Sequence, residues 1–494
     1  MSAPHRRMLP RLLGGAALLA LGMPASAQAH GIVGKADLPI PVWLFSWTAA
    51  IVLVVSFIAL STLWRTPQLQ SEHRRVLLRL SRIASLTLEA LAGAIGLGLF
   101  ALVIYSGFAG AQVANANFSV TFVYVIFWVG LPVLSVLFGD VFAVLSPWRT
   151  CARLCRGGAR LLRRGRLGGN GAHGGGGPEA GGGPLLRYPS ALGVWPAIAG
   201  IVGFAWLELV FVNRDEPSLL AALSLGYFVV MLVGMLLFGV ERWAGSADGF
   251  GVYFNLLGRL SPLVRDEQGS LCLRRPLSGI AGLQVGPGMV TLICALIGTT
   301  TFDGFSNGGV WRKAEPELQS AFSDLGLGQT PAQELAYSIG LLLCIALIVA
   351  IYRVGILGVR SVGARRDLGE LTRAFAHTLV PIAFAYVLAH YFSLLIWQGQ
   401  AIGYLASDPL GNGSNLFGTS GYQIDYQVIS YAAIWYVQVA ALIAGHVGGL
   451  ALAHDRALVL YPEPEEAVRS QYWMLAVMVA FTSFGLWLLS DVGT

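Results

Sequence analysis

Charged side chains are scarce in this chain. Of its 494 residues, only 12% are Asp, Glu, Lys or Arg, whereas 55% are hydrophobic. A soluble domain carries roughly 25% charged residues, so this composition excludes a water-soluble globular protein. The apolar residues recur in runs of about 20, the length of helix that crosses a hydrocarbon core. Because only self-satisfied backbone is stable in lipid, the sequence predicts an all-α transmembrane bundle whose main partner is the bilayer.

Cysteine is also rare, with five residues in the chain. Cys151 and Cys155 lie in a basic loop, Cys272 lies in another loop, and Cys294 and Cys344 fall inside apolar runs. An odd number of cysteines in these places argues against a disulfide framework. The sequence also lacks a Walker A motif, a G-x-S-x-G elbow, an H-E-x-x-H helix and a dinucleotide fingerprint, so none of these signatures identifies a reaction.

The N-terminus has the layout of a secretory signal peptide. Three arginines precede an apolar stretch at residues 12–23, and small residues follow Pro24. This order of basic, apolar and small residues is typical of a cleavable signal. Two cleavage points fit, one that leaves Gln28 first and one that leaves His30 first. An uncleaved first helix is the alternative.

Ten further apolar runs are predicted to span the membrane. They cover approximately residues 40–64, 83–106, 118–145, 190–212, 219–240, 287–302, 335–357, 371–397, 428–453 and 470–490. The sixth run is short, which is typical of a broken or re-entrant segment, and such a segment is tolerated only against protein or a wet cavity.

The basic residues predict the orientation of these runs. Almost all Lys and Arg lie in alternate loops, whereas the opposite loops hold only Lys35, Arg214, Arg312 and Lys313. By the positive-inside rule, the side that is rich in Lys and Arg is predicted to be cytoplasmic. Both mature termini are therefore expected in the periplasm of an inner-membrane protein. Because the charges sit in short loops and form no basic face interleaved with aromatics, the net charge of +6 does not indicate a nucleic-acid partner.

The chain is predicted to have four parts. These are a signal peptide (1–29), a first membrane segment of three helices (30–156), a Gly- and Arg-rich cytoplasmic linker (157–187) and a second membrane segment of about seven helices (188–494). The linker cannot bury apolar surface, which predicts a flexible connection.

Titratable residues at membrane depth are the candidate functional residues, because burying them in lipid is costly unless they are paired or hydrated. Glu208, Asp303 and His390 are predicted to lie at one depth near the periplasmic side, and a mature N-terminus at His30 would lie on that side as well. Carboxylates and imidazoles together can hold a divalent cation such as Zn or Cu with an open position for water. We therefore expect a metal site at His390, Asp303 and Glu208, with His30 as a fourth ligand.

A second set of residues lies toward the cytoplasmic side. His377, His446 and Asp140 form the alternative metal cluster, and His377 with His446 is also the pattern of a two-histidine haem site. The alternative is that these residues have purely structural roles. A carboxylate near a run end can pair with a loop arginine, and an intramembrane histidine can hydrogen-bond to a neighbouring helix.

Several segments together resemble a known family. They are His30-Gly31-Ile32-Val33-Gly34, Ser146-Pro147-Trp148-Arg149, Ala205-Trp206-Leu207-Glu208-Leu209, Thr301-Phe302-Asp303-Gly304, Ala389-His390-Tyr391-Phe392-Ser393 and Ala453-His454-Asp455-Arg456. With these segments the chain is similar to bacterial multi-pass membrane proteins carried as fenitrothion hydrolase. The resemblance implies hydrolysis of an organophosphorus triester, a small apolar substrate, and supplies no catalytic residue set.

Three functions therefore remain open at this point. The first is a metal-dependent hydrolase of phosphotriester type, for which a metal would activate the water and stabilise the phosphoryl oxygen. The second is a multi-pass transporter or metal-handling permease, in which the same acids and histidines would line a pathway. The third is a non-catalytic membrane assembly subunit without a site of its own.

Overall fold

The computed structural model describes residues 42–167, 184–266, 268–362, 366–461 and 463–491. The predicted signal peptide, His30 and the centre of the predicted linker fall outside these ranges. The described chain is almost entirely helical, which confirms the predicted all-α class. In chain order, the α-helices are α1 (Val42–Leu63), α2 (Arg82–Ala109), α3 (Phe118–Thr121), α4 (Leu131–Phe138), α5 (Phe142–Leu145), α6 (Pro147–Leu167), α7 (Trp195–Leu209), α8 (Pro217–Phe238), α9 (Val240–Ala244), α10 (Gly249–Gly258), α11 (Ser278–Ala281), α12 (Met289–Ser306), α13 (Gly309–Asp324), α14 (Gln329–Arg360), α15 (Leu368–Phe375), α16 (Leu379–Trp397), α17 (Ile402–Ser407), α18 (Tyr431–Leu460) and α19 (Pro464–Asp491).

In the parts of the chain that the structure describes, ten helical stretches are long and apolar enough to cross a membrane. They are Trp43–Leu63, Arg82–Ala109, Phe118–Phe138, Ser190–Leu209, Pro217–Phe238, Met289–Ser306, Gln329–Arg360, Leu368–Ser407, Tyr431–Leu460 and Pro464–Ser490. Their outward faces are apolar, as on α14, where Leu342 and Leu343 are mostly exposed. Apolar surface of this extent is stable against lipid and not against water, so the chain is an integral, multi-pass membrane protein.

The sixth predicted run differs from expectation, because α12 is short but unbroken. Its residues are almost all buried by protein. Thr299 and Thr300 both donate a hydroxyl hydrogen bond to the Leu296 carbonyl within the same helix, at 3.2 Å each. The hydroxyl groups of this short run therefore bond to its own backbone, and α12 is a continuous helix that protein surrounds on most sides.

The third predicted run is one uninterrupted helical stretch, but its middle part is not α-helical. Between α3 and α4 the chain forms a π-helix over Phe122–Gly130. α4 then ends at Gly139, whose φ of 87° is accessible to glycine at little cost. Protein surrounds nearly half of this span, and Trp128 and Val129 of the π-helix are buried.

Helices from both sides of the predicted linker pack against each other. Arg149 and Arg153 of α6 both form ion pairs with Glu241 of α9, the second at 2.9 Å. Arg156 donates to the Leu236 carbonyl at 3.1 Å. α6 also continues to Leu167, so the first part of the segment expected to be linker is helical.

A small antiparallel sheet joins two loops on the predicted cytoplasmic side. Its strands are β1 (Arg74–Leu78), β2 (Leu263–Arg265) and β3 (Leu271–Arg274), in the order β1-β3-β2. Arg74 pairs in register with Arg274, and Glu72 binds both guanidinium groups at 2.5 and 3.4 Å. These strands are not predictable from the sequence, because they are only three to five residues long and each contains arginine.

α16 and α18 lie in close contact because glycine occupies the crossing. A Cβ atom at Gly445 would lie 2.3 Å from the Cβ of Ala385 and 2.8 Å from the carbonyl oxygen of Pro381. A Cβ atom at Gly449 would lie 2.8 Å from the carbonyl oxygen of Thr378. Small residues at a crossing are the usual way for membrane helices to gain packing. This crossing fixes α16, which carries His390.

The predicted cytoplasmic end of α18 is tied to the segment after α1 through Asp455. This carboxylate is fully buried and accepts four hydrogen bonds. The donors are Trp64 Nε1 at 3.2 Å, the Gln68 backbone at 2.5 Å, the Leu69 backbone at 3.1 Å and Gln70 Nε2 at 2.6 Å. Backbone N–H groups that are buried without a partner are costly, so Asp455 stabilises a connection that has little regular structure.

We predict that Asp455→Ala lowers the melting temperature of the detergent-purified protein by several degrees. The change removes the acceptor of both backbone N–H groups and leaves that of Leu69 buried without a partner, at a cost of about 1–3 kcal/mol. The matched control is Glu465→Ala, because Glu465 is highly exposed and only 3.8 Å from exposed Arg469. An exposed pair contributes little, so equal shifts in the two variants would contradict the role given to Asp455.

Candidate functional site

The candidate site is built around Asp303, one turn before the end of α12. Its side chain is almost completely buried, with 2% exposure. The backbone carbonyl of Asp303 accepts hydrogen bonds from Ser306 Oγ at 2.9 Å and from Asn307 Nδ2 at 2.8 Å. These bonds satisfy a carbonyl at the helix end and hold the carboxylate-bearing turn in place.

Two consecutive residues of α16 bind this carboxylate. His390 Nε2 lies 2.9 Å from Asp303 Oδ2, and the Tyr391 hydroxyl donates to the same oxygen at 2.6 Å. The two rings are 4.7 Å apart and nearly perpendicular. Both distances are those of good hydrogen bonds, so α12 and α16 are joined at membrane depth by one shared carboxylate oxygen. The predicted proximity of Asp303 and His390 is confirmed.

Glu208 of α7, the third residue expected here, is also buried and lies within electrostatic reach of Asp303. Its carboxylate accepts a hydrogen bond from the Trp128 indole. Arg214, in the loop after α7, acts on Glu208 as an opposite charge. The three predicted residues are therefore neighbours near the predicted periplasmic end, where each carboxylate has its own donors.

Tyrosines enclose these acids. The charge of Glu208 acts on Tyr124 and Tyr253. The charges of Glu208 and Asp303 both act on Tyr391. Tyr124 donates its hydroxyl to the Arg214 carbonyl at 2.9 Å. We name Glu208, Asp303, His390 and Tyr391 the outer cluster. Its members are buried among aromatic side chains, and this low-dielectric setting strengthens the charge interactions inside it.

The predicted metal ligands are only partly assembled. Asp303 and His390 bond to each other, which is how a carboxylate orients an imidazole. Within the described ranges, no three His, Cys, Asp or Glu side chains form a group that could hold one ion. His30, the proposed fourth ligand, is outside the part of the chain that is described.

The alternative inner residues have separate partners. Asp140 accepts hydrogen bonds from the Ala143 backbone at 3.0 Å and from Asn255 Nδ2 at 2.8 Å, and burial raises the pKa of its carboxyl. His446 Nδ1 donates to the Leu442 carbonyl of its own helix at 2.8 Å. The Nε2 atoms of His377 and His446 are buried and have no hydrogen-bond partner among the described atoms.

No protein-family profile matches the chain, and neither a curated protein nor a solved structure is significantly similar to it.

Sequence reasoning missed Tyr391 and Trp128, which complete the hydrogen bonding of the two acids. The signal for Tyr391 was present, because it directly follows His390 in an apolar run. Adjacent residues of a helix point about 100° apart, and a partner lying between the two directions can contact both. Nothing in the sequence indicated that Trp128, on the irregular third span, faces Glu208.

We predict measurable coupling between Asp303 and Tyr391 in a double-mutant cycle. The variants are Asp303→Asn, Tyr391→Phe and their combination, unfolded by SDS in mixed micelles. A hydrogen bond to a buried carboxylate should give a coupling free energy of about 1–3 kcal/mol.

The matched control combines Asp303→Asn with Tyr404→Phe. The Tyr404 hydroxyl donates to the Asn115 carbonyl at 3.1 Å, in a loop contact outside the outer cluster. Distant sites usually add within about 0.5 kcal/mol. A Tyr391 cycle that is as additive as the Tyr404 cycle would show that the shared oxygen contact is absent.

Proposed function

We propose that this membrane protein is a hydrolase of phosphotriester type and that its reaction centre is the outer cluster. The observation that supports the proposal is the bond between Asp303 Oδ2 and His390 Nε2 at 2.9 Å. A buried carboxylate that holds one ring nitrogen fixes the tautomer and the orientation of the imidazole. His390 can then act as a general base toward water through its other nitrogen, Nδ1.

A small cavity next to His390 supports this role. Its volume is about 10 Å³, and its lining includes Thr300, Gly304, Tyr386 and His390. A cavity of about 10–15 Å³ holds one water molecule. A water at this place would lie against the imidazole and would be shielded from the bulk solvent by Leu488 and Leu489.

The proposed hydrolysis uses the His390 imidazole, the Asp303 carboxylate and the water beside them. His390 takes a proton as the water oxygen bonds to phosphorus, and the bond from phosphorus to the leaving oxygen breaks. The protonated imidazole, held by Asp303, returns the proton to the leaving group. General acid–base catalysis of this kind contributes about 10²–10⁴-fold to a rate. An apolar triester would reach such a site through the lipid.

The resemblance to proteins carried as fenitrothion hydrolase also supports this proposal. A divalent metal, Zn or Cu, is a separate proposal, with His390, Asp303, Glu208 and His30 as its ligands. A metal would supply an activated water and positive charge at the phosphoryl oxygen. Since the described ligands do not close around one position, no step above depends on it. Metal analysis of the full-length protein tests it.

A permease is the second candidate function, and a specific observation favours it. Three buried histidines lie on α16, on α18 and in the short 3₁₀ turn before α16, namely His390, His446 and His377. Titratable side chains at membrane depth mark proton and ion pathways in transporters. The ring of His446 lies 6.2 Å from that of Tyr386, which is one turn from His390.

We predict that His390→Gln reduces hydrolysis of a paraoxon-type triester by about 10²-fold or more, measured as release of nitrophenol by protein in lipid nanodiscs. The matched control is His446→Gln, a buried histidine on the neighbouring helix that should leave hydrolysis unchanged.

Proteoliposomes carrying the same variants distinguish the second candidate. Hydrolysis that persists in His390→Gln would eliminate the proposed reaction centre. The permease would be established in its place by two results together. The wild-type protein would move solute or protons without hydrolysing the triester, and both His390→Gln and His446→Gln would abolish that movement.

A further inference from the structure

A cavity that is separate from the outer cluster lies inside the membrane-spanning region, and none of the four residues of the outer cluster lines it. Its volume is about 580 Å³. Its walls come from α2, the third span, α7, α8 and α10, with Phe142 and Trp148 at one end. We name it the lateral cavity. Ligand pockets in proteins typically measure about 300–1,000 Å³, so its size is that of a binding site.

The lateral cavity opens sideways toward lipid. Leu134 on α4 and Leu223 on α8 both line it, and their exposed fractions are 41% and 45%. Both residues belong to predicted membrane spans. A molecule dissolved in the bilayer could therefore enter without crossing water.

The shape of the lateral cavity is elongated. On the third span alone its lining runs from Phe122 to Leu134, which corresponds to at most about 18 Å, because 1.5 Å per residue is the α-helical rise and the π-helix rises less. Spread over this length, the volume gives a mean cross-section of at least roughly 30 Å². These proportions are those of an extended chain and not of a compact head group.

The walls of the lateral cavity present very few free hydrogen-bond donors or acceptors to a bound molecule. Trp148 Nε1 and the Tyr227 hydroxyl both donate to buried Asp248, at 2.6 and 2.9 Å. Trp206 Nε1 donates to Ser338 Oγ at 2.8 Å. The polar atoms of these three lining residues thus point to protein partners. The remaining walls are mostly Phe, Leu, Val and Gly.

We propose that the lateral cavity binds the hydrocarbon tail of a membrane lipid as a resident ligand. An apolar, elongated space that opens to the bilayer favours a hydrocarbon chain, because a chain that fills it makes the van der Waals contacts that an unfilled space would lose. The lipid head group then stays at the membrane interface. This assignment is independent of the hydrolase proposal, because it does not use the outer cluster.

Gly203 of α7 allows the cavity to be blocked. It lines the cavity, and a Cβ atom there would meet no heavy atom within 4 Å. Gly203→Leu should therefore fill the cavity without displacing backbone. Gly98→Leu is the matched control, because Gly98 of α2 is equally free of neighbours and is not part of the cavity lining.

The first experiment uses phosphatidylethanolamine vesicles whose acyl chain carries a photoactivatable diazirine. In wild type and in Gly98→Leu, we expect cross-links on the cavity-facing residues of α2 and α7, around Val103 and Phe204. In Gly203→Leu these cross-links should fall at least fivefold. Unchanged labelling in Gly203→Leu, or no labelling of these residues in wild type, would overturn the proposal.

The second experiment counts phospholipid that remains after exhaustive detergent exchange, by mass spectrometry of the extract. Wild type and Gly98→Leu should retain about one lipid per chain, and Gly203→Leu should retain less than a fifth of that. Gly203→Ala, which adds only one methyl group, should retain an intermediate amount. If Gly203→Leu does not fold, the amount of lipid that Gly203→Ala retains still decides the test. Complete loss of lipid from wild type, or equal retention in all variants, would overturn the assignment.

Discussion

The burial of the Asp303 carboxyl is the constraint on which the rest of the structure depends. A carboxyl group at membrane depth without donors would cost several kcal/mol. His390 and Tyr391 supply donors to one of its oxygens. Both come from α16, so the position of this helix relative to α12 is fixed by polar contacts as well as by packing. Residues that looked like isolated charges in the sequence thus form one hydrogen-bonded group.

The glycine crossing of α16 and α18 supports this arrangement from the other side. Gly445 and Gly449 let α18 approach α16 to backbone contact. Asp455 then anchors the far end of α18 to the segment after α1. An imidazole used as a general base must be held in one orientation. The bundle meets this need with helix-to-helix contacts that run from the outer cluster to the opposite end of α18.

The sequence predicted the features that depend on local composition. All ten spans followed from apolar runs, and the closeness of Asp303 and His390 followed from their equal depth. Features that depend on long-range pairing were not predictable. The arginine-rich strands β1 and β3 come from loops far apart in the chain, and the π-helix at Phe122–Gly130 has an ordinary apolar sequence. Depth alone also could not tell that Tyr391 shares the Asp303 oxygen, because this depends on the rotation of α16.

The most direct test of the central claim is an experimental structure of the full-length protein in lipid nanodiscs, at a resolution that shows side chains. The account predicts His390 Nε2 and the Tyr391 hydroxyl both within about 3 Å of one Asp303 carboxylate oxygen. A map in which the Asp303 carboxylate and the His390 ring face different sides of the bundle would contradict it.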